Sequence, residues 1–400
     1  MNGVPAMATN DSHPYRTETL VTLLGRDPSA HAGSVSPPVE RTSTRVFQTL
    51  DELEAAHATG KLSDFLGSAT VEWLEDAVAE LEGGDCQVLA SGTGMASLVT
   101  VFLAVLETRD HLLMPDSVFW PTRKVGDELL RRLGIEVSYY DPMIGSAIAD
   151  VMRANTRLVL TESPGSNTFE VQDIPAIAAA AHAAGALVVT DNSWATPVFF
   201  QPLAHGADFS VSAVTKYIVG HSDVLMGTIA TSGDRMARLR DTANLLGHSC
   251  APDDVFLALR GLRTLAIRLR HHEQAGLRIA RWLQQRPEVQ AVLHPALPSC
   301  PGHEFWQRDF SGSTGLFSVV LKRLSRAQLV CFLESLSLFK LGYSWGGFES
   351  LILPVYPENE RSVTTWSQDG TVVRINVGLE NPADLEADLA HAFDQIAALR

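Results

Sequence analysis

One lysine stands where a buried strand is predicted to end. Residues 210–223 read SVSAVTKYIVGHSD, an apolar run that leads directly into Thr215, Lys216 and Tyr217. Burial disfavours the charged ammonium, so a lysine at the end of a buried strand is expected to be paired or chemically used. An exposed lysine just beyond the strand is an equally good interpretation of this segment alone. Lys216 is therefore a candidate that needs support from other segments.

A carboxylate ends a second predicted strand. Residues 186–197, ALVVTDNSWATP, place Asp191 directly after a buried run. A pyridine cofactor stores electrons only while its ring nitrogen is protonated, and a fixed carboxylate is the usual means of holding that proton. The alternative is an aspartate that caps a helix or a turn, and on this segment alone that alternative is favoured.

A glycine-rich turn, SGTGMAS at residues 91–97, lies between an apolar strand and an apolar helix. Small residues at a helix start let backbone N–H groups approach a phosphate, and the helix dipole adds to the attraction. A dinucleotide-binding loop is the competing interpretation. That pattern is incomplete, because Ser97 occupies its third glycine position and no suitable acid ends a following strand. The phosphate of pyridoxal phosphate (PLP) fits this turn better.

An arginine interrupts an otherwise apolar strand near the C-terminus. Arg374 lies in residues 370–381, GTVVRINVGLEN. The planar guanidinium matches a carboxylate with two parallel hydrogen bonds, so an arginine in this position needs an anionic partner. The α-carboxylate of an amino-acid substrate is one such partner. An internal salt bridge to a glutamate of the C-terminal part is the alternative.

Short β-rich runs alternate with alanine-rich helical stretches in residues 62–250, and these elements must position the candidate residues. This pattern predicts an α/β domain with a mostly parallel sheet, whose functional groups gather at the carboxyl ends of the strands. Residues 251–400 are predicted to form a smaller α+β domain that begins with a long helix or a helix pair. Residues 1–16 are predicted to be a disordered leader and residues 17–61 an extended arm. Several predicted strands end in polar residues, namely Glu162 and Ser163, Asp191 and Asn192, and Thr215 and Lys216.

The composition favours a soluble acidic enzyme. The 400 residues carry a net charge of −15 that is spread along the sequence, which argues against a nucleic-acid surface. No apolar stretch reaches the roughly 18 residues of a membrane helix, and residues 1–16 lack the apolar core of a signal peptide, so we expect a cytoplasmic protein. His221, Asp223 and the adjacent His271 and His272 do not converge on one ion, so no metal site is predicted.

The four segments together resemble one family, the Cys/Met-metabolism PLP enzymes, and most closely its cystathionine β-lyase branch. The resemblance runs from about Leu20 to the C-terminus. Its motifs are ELEGG (80–84), YYDP (139–142), ESPGS (162–166), TDNSWATP (190–197), TKYIVGHSD (215–223), RGLRTLAIRLRHHE (260–273), HPALP (294–298), GHEFWQRDFSGSTGLFS (302–318) and YSWGGFESL (343–351).

This resemblance implies the type I PLP-enzyme fold, with a mostly parallel seven-stranded sheet in the large domain. It also implies a homotetramer, a dimer of dimers in which the arm of residues 17–61 contributes to the neighbouring subunit. Lys216 would form the Schiff base with PLP and act as the proton shuttle, and Asp191 would partner the pyridinium. The phosphate would be bound by Gly94, Met95 and Thr215, and the PLP ring would stack on Phe119. The substrate pocket would be formed by Ser344, Trp345 and Arg374.

The sequence departs from the family pattern in the segment that binds the phosphate of the neighbouring subunit. Members usually carry a Tyr-x-Arg-x-Gly arm, but here the Tyr and Arg positions hold Ser63 and Phe65. Losing one charge-assisted hydrogen bond, worth roughly 1.5 to 3 kcal/mol, lowers PLP affinity about tenfold or more unless another cation replaces it. Lys61 and Arg45 are the candidate replacements, and the sequence does not choose between them.

Further departures fall on segments that the resemblance assigns to the pocket. Phe119 replaces a tyrosine, so the ring can still stack but has no hydroxyl. Ser36 and Glu40 replace Asn and Tyr in the arm. The resemblance implies a PLP-dependent lyase that removes the α-proton with Lys216 and eliminates a thiol by C–S β-elimination. One alternative is elimination, including γ-elimination, from a halogenated or unsaturated amino acid of specialised metabolism, and another is a non-catalytic paralogue.

Overall fold

The computed structural model describes residues 14–58 and 68–399. The predicted leader therefore lies almost wholly outside the described residues, as do Lys61, Ser63 and Phe65. The described part of the predicted arm contains two helices, α1 (Thr17–Leu23) and α2 (Leu50–Ala58). No helix of the described segments is long and apolar enough to cross a membrane.

A seven-stranded sheet forms the centre of the larger part. Its strands are β1 (Gln87–Ser91), β2 (His111–Pro115), β3 (Glu136–Tyr140), β4 (Thr156–Glu162), β5 (Leu187–Asp191), β6 (Phe209–Ser212) and β7 (Gly227–Thr231). Their order is β1-β7-β6-β5-β4-β2-β3, and β7 alone runs against the other six. The predicted mostly parallel seven-stranded sheet is confirmed.

Helices cover both faces of this sheet, which explains why its central strands are almost continuously apolar. Every residue of β2, for example, is buried. The alanine-rich run predicted as a helix is α6, and Asp173 caps it by accepting a hydrogen bond from the backbone N–H of Ala176 at 3.3 Å. The helices of this part are α3 (Ala69–Leu81), α4 (Gly94–Val105), α5 (Trp120–Lys124), α6 (Ile174–Ala183), α7 (Thr196–Phe199) and α8 (Arg235–Leu246).

The C-terminal part has a five-stranded sheet of its own and a separate apolar core. The strands are β8 (Val289–Leu293), β9 (Leu316–Leu321), β10 (Lys340–Leu341), β11 (Leu351–Val355) and β12 (Thr371–Asn376), in the order β10-β11-β12-β9-β8. The long amphipathic segment is a helix pair, as the periodicity allowed. The helices are α9 (Pro252–Leu262), α10 (Leu265–Gln284), α11 (His303–Asp309), α12 (Arg326–Glu334) and α13 (Pro382–Ala397).

The structure corrects one prediction, because the strand expected to lead directly into Lys216 ends four residues earlier, at Ser212. The chain then turns, and the backbone N–H of Lys216 donates to the carbonyl of Ala213 at 3.0 Å. The Thr215 hydroxyl donates to the carbonyl of Met226 at 3.1 Å and accepts from its N–H at 2.9 Å. These bonds take the place of strand pairing, so Lys216 leaves the sheet on a fixed turn.

Candidate active site

A cavity of about 360 Å³ opens where the carboxyl ends of β4, β5 and β6 meet the start of α4. Side chains from both sheets and from the connecting loops line it. Its walls bring together nearly all the residues predicted from the sequence, namely Gly94, Met95, Phe119, Asp191, Thr215, Lys216, Trp345 and Arg374. Ser344 is joined to this group through its hydrogen bond with Lys216.

Lys216 extends into the cavity from the turn after β6. Its Nζ donates a hydrogen bond to Ser344 Oγ at 3.1 Å and lies 5.0 Å from the centre of the Trp345 ring. Burial, and after it the charge of Arg374, lower the pKa of Lys216 to about 8, while Asp191 acts in the opposite direction. A larger share of this amine is therefore neutral at physiological pH than for an ordinary lysine, as a nucleophile or base requires.

Two carboxyl groups lie side by side at the strand ends. Asp191 ends β5 and is in register with Glu162, which ends β4. Burial raises the pKa of both groups, and the charge of Asp191 raises the pKa of Glu162 further. Hydrogen bonds from Ser193 and the charge of Lys216 lower the pKa of Asp191. The opposing hydrogen bonds and the charge of Lys216 act on Asp191, whereas Glu162 has the charge of Asp191 against it, so of the two groups Asp191 is the better placed to carry a negative charge.

The start of α4 lines the cavity. Thr93 caps the helix by accepting from the N–H of Ala96 at 3.0 Å, which leaves the N–H groups of Gly94 and Met95 at the cavity wall. A Cβ on Gly94 would lie 2.8 Å from the Cβ of Ala213, so only glycine lets the helix start pack this closely against the turn after β6. Free N–H groups at a helix start are a ready site for a phosphate.

Arg374 lies on β12, 8% exposed, and forms the opposite wall. Its guanidinium donates to the carbonyl of Tyr343. Burial lowers the pKa of Arg374 to about 10, and Glu360 opposes this shift. Among residues 14–58 and 68–399, no carboxylate lies within the 4 Å of a salt bridge to this arginine, so the internal salt bridge considered from the sequence is not formed there. Arg374 can therefore bind an incoming carboxylate.

Phe119 is half-exposed and lines the cavity beside the carboxyl pair. Its backbone N–H donates to Glu162 Oε2 at 2.9 Å, which holds the backbone of Phe119 next to Glu162. Trp345 also lines the cavity and packs against the buried ring of Tyr217, with 5.6 Å between ring centres. Two aromatic side chains, Phe119 and Trp345, thus contribute to the cavity wall.

Sequence reasoning missed two residues of the site. Glu162 was noted as a strand-end carboxylate but given no role, although the rule that selected Asp191 applies equally to it. Asn167 also lines the cavity, and its Nδ2 donates to Glu360 Oε2 at 3.2 Å. Its backbone φ of +63° is a conformation that asparagine tolerates better than most residues. No periodic pattern marks such a loop position in the sequence.

The arm residues with unusual identities lie elsewhere in this chain. Glu40 supports the start of α3, because its Oε2 accepts from the N–H of Ala69 at 3.1 Å and its own N–H donates to Thr70 at 3.0 Å. Arg45 lies in a separate surface groove with Glu40 and Arg41. The described residues contain no group of three or more His, Cys, Asp or Glu side chains placed to hold a metal ion.

These features fit PLP. An aldehyde requires a neutral amine, which Lys216 supplies, and a protonated pyridine nitrogen requires a buried carboxylate, which Asp191 supplies. The phosphate requires N–H donors in a close-packed turn, and the crowding at Gly94 is the observation that distinguishes such a turn from an ordinary helix start.

Comparison with known proteins gives the same result. Residues 18–394 match the family model described as Cys/Met metabolism PLP-dependent enzyme. The chain is 47% identical over 386 residues to a putative cystathionine beta-lyase of Rhizobium johnstonii, covering 95% of this chain and 96% of the relative. It is 40% identical over 391 residues to the cystathionine beta-lyase MetC of Escherichia coli, covering 95% and 99%.

The fold also matches a solved structure. A crystal structure of metB from Corynebacterium glutamicum superposes with a TM-score of 0.89 at 30% identity and covers 98% of this chain and 100% of that one. The predicted type I fold, enzyme class and PLP cofactor are thereby confirmed. This chain belongs to the Cys/Met metabolism PLP-dependent enzymes, as a cystathionine beta-lyase-like member.

Proposed function

We propose that this protein breaks the bond between the β-carbon and sulfur of an amino-acid substrate such as cystathionine, releasing a thiol, pyruvate and ammonia. The observation that carries the proposal is the convergence of Lys216, Asp191 and Arg374 on one cavity of about 360 Å³. Amine, carboxylate and guanidinium are the three groups that this chemistry requires. The relatives named cystathionine beta-lyase support the choice of leaving group.

The cofactor is held by residues of the larger part. Lys216 is the attachment point, and the N–H groups of Gly94 and Met95, together with Thr215, receive the phosphate. Asp191 would keep the ring nitrogen protonated, and Phe119 would offer a ring for stacking. When bound, PLP supplies an electron sink for the pair that α-proton removal leaves behind.

The substrate is oriented and deprotonated by this chain's own side chains. Arg374 would bind the α-carboxylate with two parallel hydrogen bonds and so hold the substrate in the cavity that Lys216 also lines. The Lys216 amine removes the α-proton, and its low pKa of about 8 suits that task near neutral pH. Ser344 holds Nζ by the hydrogen bond of 3.1 Å, and Trp345 restricts the space beside it.

The second candidate is elimination, including γ-elimination, from a halogenated or unsaturated amino acid. The observation in its favour is the apolar wall at Phe119, which offers no hydroxyl to a polar leaving group. A third candidate, a paralogue without activity, is disfavoured because Lys216, Asp191 and Arg374 all line one cavity.

We also propose a cytoplasmic homotetramer built as a dimer of dimers. Tyr343 is 84% exposed and Leu225 is 66% exposed, and both line the cavity. Large apolar side chains at a cavity mouth are consistent with a neighbouring subunit that covers them. Light scattering coupled to size-exclusion chromatography measures the mass of the particle in solution. A monomer at working concentration would contradict the proposed tetramer.

One experiment tests the choice of reaction. The holoenzyme is offered cystathionine, cysteine, methionine, a homoserine ester, and chlorinated and vinylic amino acids, and the products are identified by mass spectrometry. Pyruvate together with homocysteine from cystathionine supports β-elimination. Turnover of the chlorinated or vinylic substrates without turnover of any sulfur substrate favours the second candidate. Protein that remains colourless after incubation with PLP contradicts both.

A further inference from the structure

One buried arginine lies directly behind the turn that carries Lys216. Arg268 belongs to α10, in the C-terminal part, and is only 5% exposed. No carboxylate of the described part of the chain forms an ion pair with its guanidinium. A buried charge without an ion partner is costly unless hydrogen bonds compensate it. The place of Arg268 in the fold is therefore explained by the hydrogen bonds that it donates.

The guanidinium of Arg268 donates to backbone carbonyl groups of two segments. Nη1 donates to the carbonyl of Tyr217, and Nη2 donates to the carbonyl of Ile218 at 3.0 Å. Nη2 also donates to the carbonyl of Gly261, near the end of α9, at 2.8 Å. Because Tyr217 and Ile218 directly follow Lys216, this one side chain joins the turn after β6 (residues 214–219) to the helix pair α9 and α10.

The contacts around this turn are close. Gly220 has a φ of +69°, and a Cβ at this position would lie 2.0 Å from Arg268 Nη1. Gly346, in the loop before β11, lies against the backbone of Lys216 itself, since a Cβ there would lie 3.1 Å from the carbonyl carbon of Lys216. The backbone of the turn is thus restricted by α10 and by the loop before β11.

We propose that Arg268 is a positioning residue, which keeps the backbone of Lys216 in place while its side chain attaches PLP and moves the α-proton. The inference rests on the proposed role of Lys216 as attachment point and base. A lysine side chain is flexible, so the place of Nζ is well defined only when the backbone is fixed. A displacement of about 1 Å at a reacting group can cost roughly a hundredfold in rate. Arg268 does not line the cavity, so it acts through the turn.

The first test is the kinetics of Arg268→Lys in the holoenzyme. Lysine keeps the positive charge, but its single nitrogen cannot bridge three carbonyl groups in the fixed geometry of a guanidinium. We expect kcat to fall roughly ten- to a hundredfold and KM to change less than about threefold, because the carboxylate is bound by Arg374 on another sheet. Arg278→Lys, an exposed arginine of the same helix that pairs with Glu386, is the matched control and should behave as the wild type.

A second measurement separates positioning from a general effect on stability. The amine of Lys216 is partly buried and faces the charges of Arg374 and Asp191. A loosened turn lets water reach this amine, so the pH at which PLP loads onto unloaded protein at half its maximal rate should rise by about one unit or more in Arg268→Lys. Thermal melting of the same protein reports its stability. A merely structural role of Arg268 would lower Tm without changing the pH of half-maximal loading.

Each outcome decides the inference. Wild-type kcat and loading in Arg268→Lys, a lower Tm as its only change, or an equal loss in Arg278→Lys overturns the proposal. If Arg268→Lys does not fold, Gly220→Ala is the second variant, because its methyl group displaces the guanidinium and leaves the arginine in the chain. Wild-type kcat and loading in Gly220→Ala also overturn the proposal. Activity in Lys216→Ala would instead contradict the role of Lys216, so a failure of the proposed function is distinguishable from a failure of Arg268 alone.

Discussion

The two ends of the cavity are built in different ways. The cofactor end consists of Lys216, Asp191 and Gly94, which lie on strand ends, a fixed turn and a helix start of the seven-stranded sheet. The substrate end consists of Arg374 on the second sheet and of loop residues such as Asn167. Backbone hydrogen bonds of the seven-stranded sheet and of the turn after β6 hold the first group, whereas the second depends on how loops from two parts of the chain meet. The cofactor end therefore sets the chemistry, and the substrate end is where specificity can change.

The loop at the substrate end is nevertheless held firmly. Asp116, directly after β2, accepts hydrogen bonds from the backbone N–H groups of Ser362, Val363 and Thr364 and from Arg123. Burial would raise the pKa of Asp116, but the hydrogen bond from the Thr364 hydroxyl and those from the three backbone N–H groups lower it to about 2. Because this carboxylate stays charged over the working range, the loop that contains Glu360 keeps its place on the sheet.

Lys216→Ala should have the largest effect of any single change. Without the amine the α-proton has no base, and general acid–base catalysis contributes roughly 10²- to 10⁴-fold. We expect a fall in kcat of at least about a thousandfold with the best substrate, because attachment of PLP is lost together with the base. Steady-state kinetics and the visible absorbance of purified protein measure the two losses.

Lys322→Ala is the matched control, since Lys322 is an exposed lysine after β9. It should keep both the colour and the rate. Circular dichroism shows whether Lys216→Ala remains folded. A folded Lys216→Ala protein that retains more than a tenth of the wild-type kcat would show that the cofactor end is assigned to the wrong lysine.

Arg374→Lys tests the substrate end. Lysine keeps the charge but cannot form two parallel hydrogen bonds to a carboxylate, and one charge-assisted bond contributes roughly 1.5 to 3 kcal/mol. We expect KM to rise about ten- to a hundredfold while PLP binding is unchanged. Arg323→Lys, an exposed arginine paired with Asp369, serves as the control. If Arg374→Lys loses PLP instead of showing a higher KM, the cofactor end and the substrate end of the cavity do not act independently.

The sequence predicted the two ends unequally, for a physical reason. Asp191 and the glycine-rich turn are local patterns, because a strand end and a helix start are each defined by neighbouring residues. The strand toward Lys216 was predicted four residues too long. Hydrogen bonds between Thr215 and Met226 take the place of strand pairing there, and they join two positions that local propensity does not relate. Asn167 and Glu360 meet across 193 residues, and neither lies in a periodic element. Such contacts depend on the tertiary packing of the two parts, which single-sequence patterns do not encode.

Loading of PLP onto unloaded protein should depend on pH through Lys216. Burial, followed by Arg374, lowers the pKa of this amine to about 8, so the reactive neutral form predominates above that pH. Below it the neutral fraction falls about tenfold per pH unit. We expect the loading rate, followed by the appearance of the visible band, to be about tenfold lower at pH 7 than on a plateau above roughly pH 9. A rate that continues to rise beyond pH 10 would indicate an ordinary lysine.

The smallest effect is expected for Phe119→Tyr, at the border between the two ends. The backbone of Phe119 is fixed by its hydrogen bond to Glu162, so a tyrosine ring would occupy the same place and stack equally well. Its hydroxyl can add one hydrogen bond, worth about 1 kcal/mol where a partner is present, and we expect PLP affinity to change by no more than about fivefold. Phe119→Leu is the control that removes the ring. If Phe119→Tyr leaves PLP affinity unchanged but alters the preference among substrates in the product assay, the added hydroxyl acts at the substrate end and not on the cofactor.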